Sequence, residues 1–455
     1  MTCRWLTSCL MALAIAGCGK VDDSVPAGPE DPQNPQNPAD PGEPFDPTDP
    51  LPEEEIAPQD MRPVVKAAKP PPPISGGTLL ITRDGQHAVA ADPDRDRISI
   101  VSLKERKVLH TIALQEGDEP GRVVEDAAGR VHAALRRAGA VVSVNLEKGT
   151  ILGRRNVCGA PRGIAYDAAT NQLHVACAGG QLVSLSAEQG PVLRRIELGP
   201  GLRDVVVRKG NLLVSRFKAA DAMKIGPDGT VLSRAIAAQI QRESDPSAGA
   251  MVPESTTGGV NTEPLDPDGA WRMLARGSEE ALLLHQYALA APIEVNRRRD
   301  KDEPRPEPGG QQPYGAPPGG CGGLVQPGMS SVGADGSLQM GLPIAIPVMA
   351  VDAALAPDNR WIAVAHAGPP DPTAPVFVPM PSAPSLGTVT FVDGDDLLAH
   401  RDRPNPCKRA AFTLSVAGQA TAVAFNPTVS SEAAMFGTWV VVQTREPAKL
   451  VFLHD

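Results

Sequence analysis

Aromatic side chains are scarce in this chain of 455 residues: three Tyr, four Trp and eight Phe, 3% in all. A surface that holds sugars or bases by stacking needs several such rings in a row, so that class of function is excluded first. Basic residues are outnumbered, 43 Lys and Arg against 53 Asp and Glu, and a formal charge of -10 offers no electrostatic footprint for nucleic acid. Cysteine is sparse at seven residues and no C-x-x-C-H occurs, so the chain carries no haem attachment of its own. There is no nucleophile elbow, phosphate-cradling loop or zinc-protease helix motif. The Gly-rich stretch GAPPGGCGG follows no strand and opens no helix, which makes it a loop. Long hydrophobic runs are also missing. The one apolar run near the N-terminus is too short to remain in a bilayer as a helix.

What is present begins with an address. MTCRWLTSCLMALAIAGCGK places Arg4 before a short apolar run and ends on small residues and a cysteine, the layout of a secretory signal over residues 1–17. Ile15-Ala16-Gly17-Cys18 resembles the lipobox of bacterial lipoproteins, which implies cleavage before Cys18 and a diacylglycerol on its thiol. Position 19 is Gly and not the Asp of many inner-membrane lipoproteins, so the resemblance implies the outer membrane, on its periplasmic side or at the cell surface. Such lipid fixes a protein to a membrane without a transmembrane helix. Residues 18–73 are acidic and proline-rich with few aliphatic side chains; they bury too little to repay ordering and read as a disordered, extended tether.

From residue 74 to 455 the pattern is short β-rich runs punctuated by Gly, Asp, Asn and Pro, an all-β domain. Three successive stretches, beginning at Arg122, Arg162 and Arg203, overlay on one four-strand scheme at intervals of 40 and 41 residues. That period with four strands per unit predicts the blades of a β-propeller. One earlier unit, a worn copy around AWRMLARGSEEALLLHQYALAAPIEV, and two later units bring the count to seven, with six as the alternative. Polar, Pro- and Gly-rich stretches at about 236–269, 296–323 and 368–386 interrupt the rhythm and read as long loops on the scaffold. The last unit shows three strands. Either a segment around Arg62–Lys66 completes it or the missing strand lies beyond Asp455.

In a propeller the fourth-to-first and second-to-third connections open on one face. Cys158 and Cys177 fall in such connections of one blade, and an exported compartment favours a disulfide between them. Cys321 and Cys407 form a second candidate pair, and a cysteine zinc site is the competing reading. His132 and His174 occupy equivalent packing positions. His285 and His366 fall near the ends of second strands, on the cysteine face. Asp92, Arg216 and Arg445 occupy comparable positions, while Arg122, Arg162 and Arg203 open first strands at the channel mouth. A ring of guanidinium groups there would attract an anionic ligand or an acidic partner surface. The plainer reading is that these arginines bond loop carbonyls and carboxylates.

LLITRDGQHAVAADPDRDRISIVSLKERKVLHTIAL resembles the YVTN-type propeller repeat of bacterial surface and periplasmic proteins, with Asp92 where that repeat has Asn. Together with the lipobox and VVVQTREP, the chain resembles bacterial lipoproteins whose propeller precedes a c-type haem domain. No haem ligand lies in this sequence, so haem enters only through a missing domain or a partner. The expectation is a non-enzymatic, surface-anchored propeller that binds a protein partner or an anionic ligand through its open face. The alternatives are the scaffold of a periplasmic cytochrome c or peroxidase-like electron-transfer protein, and a lactonase-type hydrolase. No catalytic or metal-binding residue is assigned, and oligomeric state is not legible in the sequence.

Overall fold

The computed structural model describes residues 71–243, 262–290, 324–345, 350–367, 386–399, 408–409, 411–428 and 439–453. Within them the chain forms a seven-bladed β-propeller. Cys18, Cys321, Cys407, Arg62–Lys66 and most of the three expected loops lie outside the described residues.

The blades are antiparallel meanders whose first strands face the channel, except that blade five adds a ribbon strand at one end and a parallel strand, Lys408–Arg409, at the other. Blade one runs through Leu79–Ile81, His87–Asp92, Arg97–Ser102 and Lys107–Ala113, and blades two, three and four repeat that order. Burial explains the sequence of each strand. The second strand of blade one, HAVAAD, is apolar at four consecutive positions because neighbouring blades cover both of its faces. The fourth strands, such as Thr150–Asn156, alternate exposed and half-buried residues because one face meets water. The core consists of layers between adjacent blades: Val89, Ile98 and Ile100 of blade one pack on Val131, Leu135 and Val142 of blade two. Each such side chain contributes about 1.5–3 kcal/mol on burial.

Blade five departs from the expected loop at 236–269. Ile240–Glu243 pairs with the start of a 15-residue strand, Thr262–Arg276, so part of that stretch is a β-ribbon joined to a six-stranded sheet. Arg242 and Glu263, both buried, form an ion pair across it, which lets two charged residues sit in a ladder that composition alone reads as loop. Blade six comprises Ala350–Leu355, Trp361–His366, Leu386–Asp393 and Phe412–Ala417. Blade seven has three strands among the described residues, Ala420–Phe425, Val440–Thr444 and Lys449–Leu453. Its joint with blade one is sealed by Gln443, whose Oε1 accepts from Thr78 Oγ1 at 2.8 Å and whose Nε2 donates to Ala91 O at 2.8 Å. Leu79, Ile81 and Ala88 pack on Ala422, Ala424 and Val441 across the same joint.

The arginine-lined channel mouth

The first strands carry a recurring irregularity at the channel. In blade two the pairing with the second strand skips from Pro120 to Val123, leaving Gly121 and Arg122 out of register. In blade three it skips Arg162, and in blade four Arg203. Blades six and seven skip Val351 and Thr421 at the equivalent place. A bulge of this kind re-aims the extra side chain, so three successive blades direct an arginine to the same end of the channel. Backbones approach closely here: a Cβ on Gly163 would lie 2.7 Å from Asp204 Cα, which reserves that position for glycine.

Arg122 is 2% exposed and is ion-paired with Asp204 of blade four; its Nη2 also donates to Trp271 O at 2.6 Å. Arg272 of blade five approaches Asp204 at 3.6 Å and Asp352 of blade six at 3.4 Å. Backbone N–H groups complete the two acids: Val205 and Met273 donate to Asp204 at 3.0 and 2.7 Å, and Val423 donates to Asp352 at 3.2 Å. These four charged residues tie blades two, four, five and six together inside the channel. Burial pulls the Arg122 guanidinium below its ordinary value, against the pull of Asp204, and raises the Asp352 carboxyl against that of Arg272.

Above this layer the entering chain crosses the mouth. Arg445 Nη2 donates to Pro72 O at 3.0 Å, Arg136 Nη1 to Pro73 O at 2.8 Å and Arg203 Nη2 to Ser75 O at 3.1 Å. Three blades thus fasten one proline-rich segment, whose prolines lack N–H groups but keep their carbonyls. Arg203 is also flanked by the rings of Phe217 and Trp271, with its guanidinium carbon 5.0 and 5.3 Å from their centroids. Burial, with Arg122 and Arg162 next in effect, pushes Arg203 down to about 9, and burial with Arg162 pushes Arg136 down to about 10.

Each residue singled out in the sequence now has a place. Arg122 and Arg203 are engaged by carboxylate or carbonyl, as the plainer reading expects. Arg162 is half-buried, and no hydrogen bond to it is observed among the described residues. Asp92 accepts from Arg97 Nε at 3.1 Å and from Arg95 Nη1 at 3.2 Å, and Arg216 donates to Asp221 at 2.6 Å; both are absorbed in their own hairpins. Arg445 is bound to Asp94 at 2.5 Å beside its bond to Pro72. The two histidines expected on the open face are both fully buried. His285 lies within Glu280–Leu289, fully buried, bonded to Ser330 Oγ at 2.8 Å and set edge-on to Tyr287 at 4.7 Å. The longer strand of blade five carries it past the expected strand end into the core. His366 does end its strand but is fully buried.

Cys158 and Cys177 are joined as a disulfide, with Cα atoms 6.3 Å apart. His132 sits between Asp126 Oδ2 at 3.1 Å and Ser143 Oγ at 2.8 Å, and His174 repeats the contact with Ser184 Oγ at 2.9 Å. Among the described residues no cluster of His, Cys, Asp and Glu could hold a metal ion. A cavity of about 250 Å³ lies between blades one and seven beneath Pro72, bordered by Asp94, Arg97, Arg445 and Phe452.

Sequence reading missed Arg136, Asp204, Arg272 and Asp352. Arg136 had a signal: VHAALRR overlays VVVQTRE, placing it where Arg445 stands in blade seven. Asp204 had a weaker one, as the neighbour of a bulged arginine. Arg272 and Asp352 had none, because their roles depend on which blades meet in the ring.

No protein-family model and no curated protein matches the sequence. Solved structures do match by fold. Hydrazine synthase of Kuenenia stuttgartiensis superposes with a TM-score of 0.57 at 12% identity, over 86% of this chain and 99% of that one. The β-propeller domain of Cps50 (Swd1) from Myceliophteria thermophila gives 0.48 at 10% identity, over 83% and 95%. At these identities the likeness concerns the fold alone.

Proposed function

We propose that this is a non-enzymatic, lipid-anchored propeller of the bacterial cell envelope that binds a protein partner through its arginine-lined open face. The observation that carries the reading is the concentration of Arg136, Arg162, Arg203 and Arg445 at one channel mouth of a chain whose formal charge is -10. A local cationic patch on an acidic protein steers an acidic surface to one place and one orientation. The signal-like N-terminus and Cys18 support export and lipid attachment, and the acidic proline-rich tether supplies reach from the membrane. Neither the electron-transfer scaffold nor the hydrolase gains a specific observation.

A photo-crosslinking residue at position 137, whose native arginine is 65% exposed beside the mouth, tests the reading in the source bacterium. One envelope protein should be captured reproducibly, and Arg445→Glu together with Arg203→Glu should abolish the adduct. Equal capture from a position on the outer strands would overturn the open face as the binding surface. Cys18→Ser should move the protein from the membrane to the soluble envelope fraction, and retention in the membrane would refute lipid attachment.

A further inference from the structure

We propose that the channel mouth contains an oxyanion site in which Arg162 and the free edge of Arg136 grip one carboxylate or phosphate group. The inference rests on the open face as the binding face and names the group bound there. Three observations lead to it. First, Arg136 has a side chain only 1% exposed, yet among the described residues its Nε and Nη2 atoms have no hydrogen-bond partner. Nη1 is spent on Pro73 O, so the two idle donors are the ones that lie side by side on the guanidinium edge, the fork that matches two oxygens of one oxyanion. Buried donors left idle are costly, which makes an unmet ligand the economical explanation.

Second, Arg162 occupies the equivalent bulge of the neighbouring blade at the same channel mouth, and its charge is the foremost one depressing Arg136. It is also only partly buried, unlike Arg136. Third, among the described residues Glu119 is the one carboxylate paired with Arg136, and it makes no hydrogen bond to the fork. Asp94 is bonded to Arg445 and Asp204 to Arg122. Glu119 stands 3.8 Å from Arg136 Nη2 and 3.7 Å from Arg137 Nη1, beyond hydrogen-bond range of either. Arg203 adds a third positive charge, held by carbonyls and aromatic rings and, among the described residues, paired with no carboxylate. One bidentate anion would satisfy the fork, pair Arg162 and relieve the repulsion among the three.

The oxyanion can be a free small anion or the acidic side chain of a bound protein, and the experiment separates them. Succinate and inorganic phosphate are titrated into the purified full-length chain by calorimetry at fixed ionic strength, with chloride as the balancing salt. Saturable one-to-one binding of either is expected, weakened at least about tenfold in Arg162→Gln, the scale of one lost charge-assisted pair. Arg162→Lys, which keeps the charge and loses the fork, should also weaken it, while Glu119→Gln should tighten it by removing the competing acid. Melting temperatures of all three variants confirm that they are folded. If neither anion binds but the position-137 adduct disappears in Arg162→Gln, the oxyanion belongs to the partner and the site stands. If neither anion binds and the adduct survives Arg162→Gln, the site is overturned while the open-face reading stands. Saturable anion binding with no adduct at all would sustain the site and remove the protein partner. Anion binding that Arg162→Gln leaves unchanged would also overturn the proposal.

Discussion

Arg122→Met is the sharpest test of how the ring is held. The substitution keeps the bulk of a fully buried side chain and removes its ion pair with Asp204 and its bond to Trp271 O. Breaking a buried pair by removing one partner costs about 3–5 kcal/mol, because the other charge is left behind. Asp204 would not be stranded, since Arg272 stays within 3.6 Å and the N–H groups of Val205 and Met273 still donate to it. The expected loss is therefore at the low end, about 3 kcal/mol. Asp204→Leu should cost more, because it leaves Arg122 and Arg272 facing each other with Asp352 as the one remaining acid of the layer. With about 2.1 cal/mol/K of unfolding entropy per residue over roughly 380 residues, 3 kcal/mol lowers the melting temperature by about 4 °C. Urea unfolding at neutral pH should show the same loss with an unchanged slope. The double variant should lose less than the sum of the singles, because the two residues share one interaction. The loss should also persist in high salt, which screens surface pairs and leaves buried ones nearly untouched. A loss below about 1 kcal/mol, the scale of a surface pair, or strict additivity in the cycle would refute the role given to this layer.

Acid should destabilise the propeller through its buried histidines. Burial holds His174 and His285 down to about 4, against 6.5 for the free group, so the unfolded chain binds these protons first. Their stabilisation is complete above about pH 6.5 and is lost as pH falls toward 4, at about 1.4 kcal/mol per pH unit for each histidine. His174→Gln and His285→Gln should flatten stability across that window, and an unchanged slope in both would refute it. Loss of the Cys158–Cys177 bridge, which closes 19 residues, should cost about 3 kcal/mol by loop entropy. Reductant should reproduce the Cys177→Ser melting shift in the wild-type chain, and resistance of both to any shift would refute the estimate. Gly163→Ala should cost about 1–3 kcal/mol, because its methyl meets the Asp204 backbone and one of the two strands must move. Wild-type stability in that variant would refute the close approach of the two strands.

The blade count was legible in the sequence because a blade is a local object. Its four strands are consecutive, its turns are short, and its buried strands announce themselves by continuous apolar runs, as in HAVAAD and QLHVAC. The spacing of Arg122, Arg162 and Arg203 followed from that periodicity, and so did their arrival at one end of the channel. Blade five was read least well, since its ribbon is built from Thr262–Asp268 and Ile240–Glu243, which are too polar and proline-containing to look like strands. The same lengthening moved His285 from the face into the core.

What the mouth does with its arginines was settled only by closing the ring. Arg203 meets Ser75 across 128 residues, and Arg445 meets Pro72 across 373. Those partners are fixed by the rotation from one blade to the next, which no local pattern encodes. Sequence determined that six or seven similar units exist and that arginines open several of them. Tertiary structure decided how those charges are spent: Arg122 on Asp204, Arg203 on the carbonyls of Ser75 and Trp271, and Arg445 on Asp94 and Pro72, while among the described residues one edge of Arg136 is without a hydrogen-bond partner. The physical reason is one of range: propensity and burial act over a few residues, whereas neutralising a buried charge requires a particular partner brought from elsewhere in the chain.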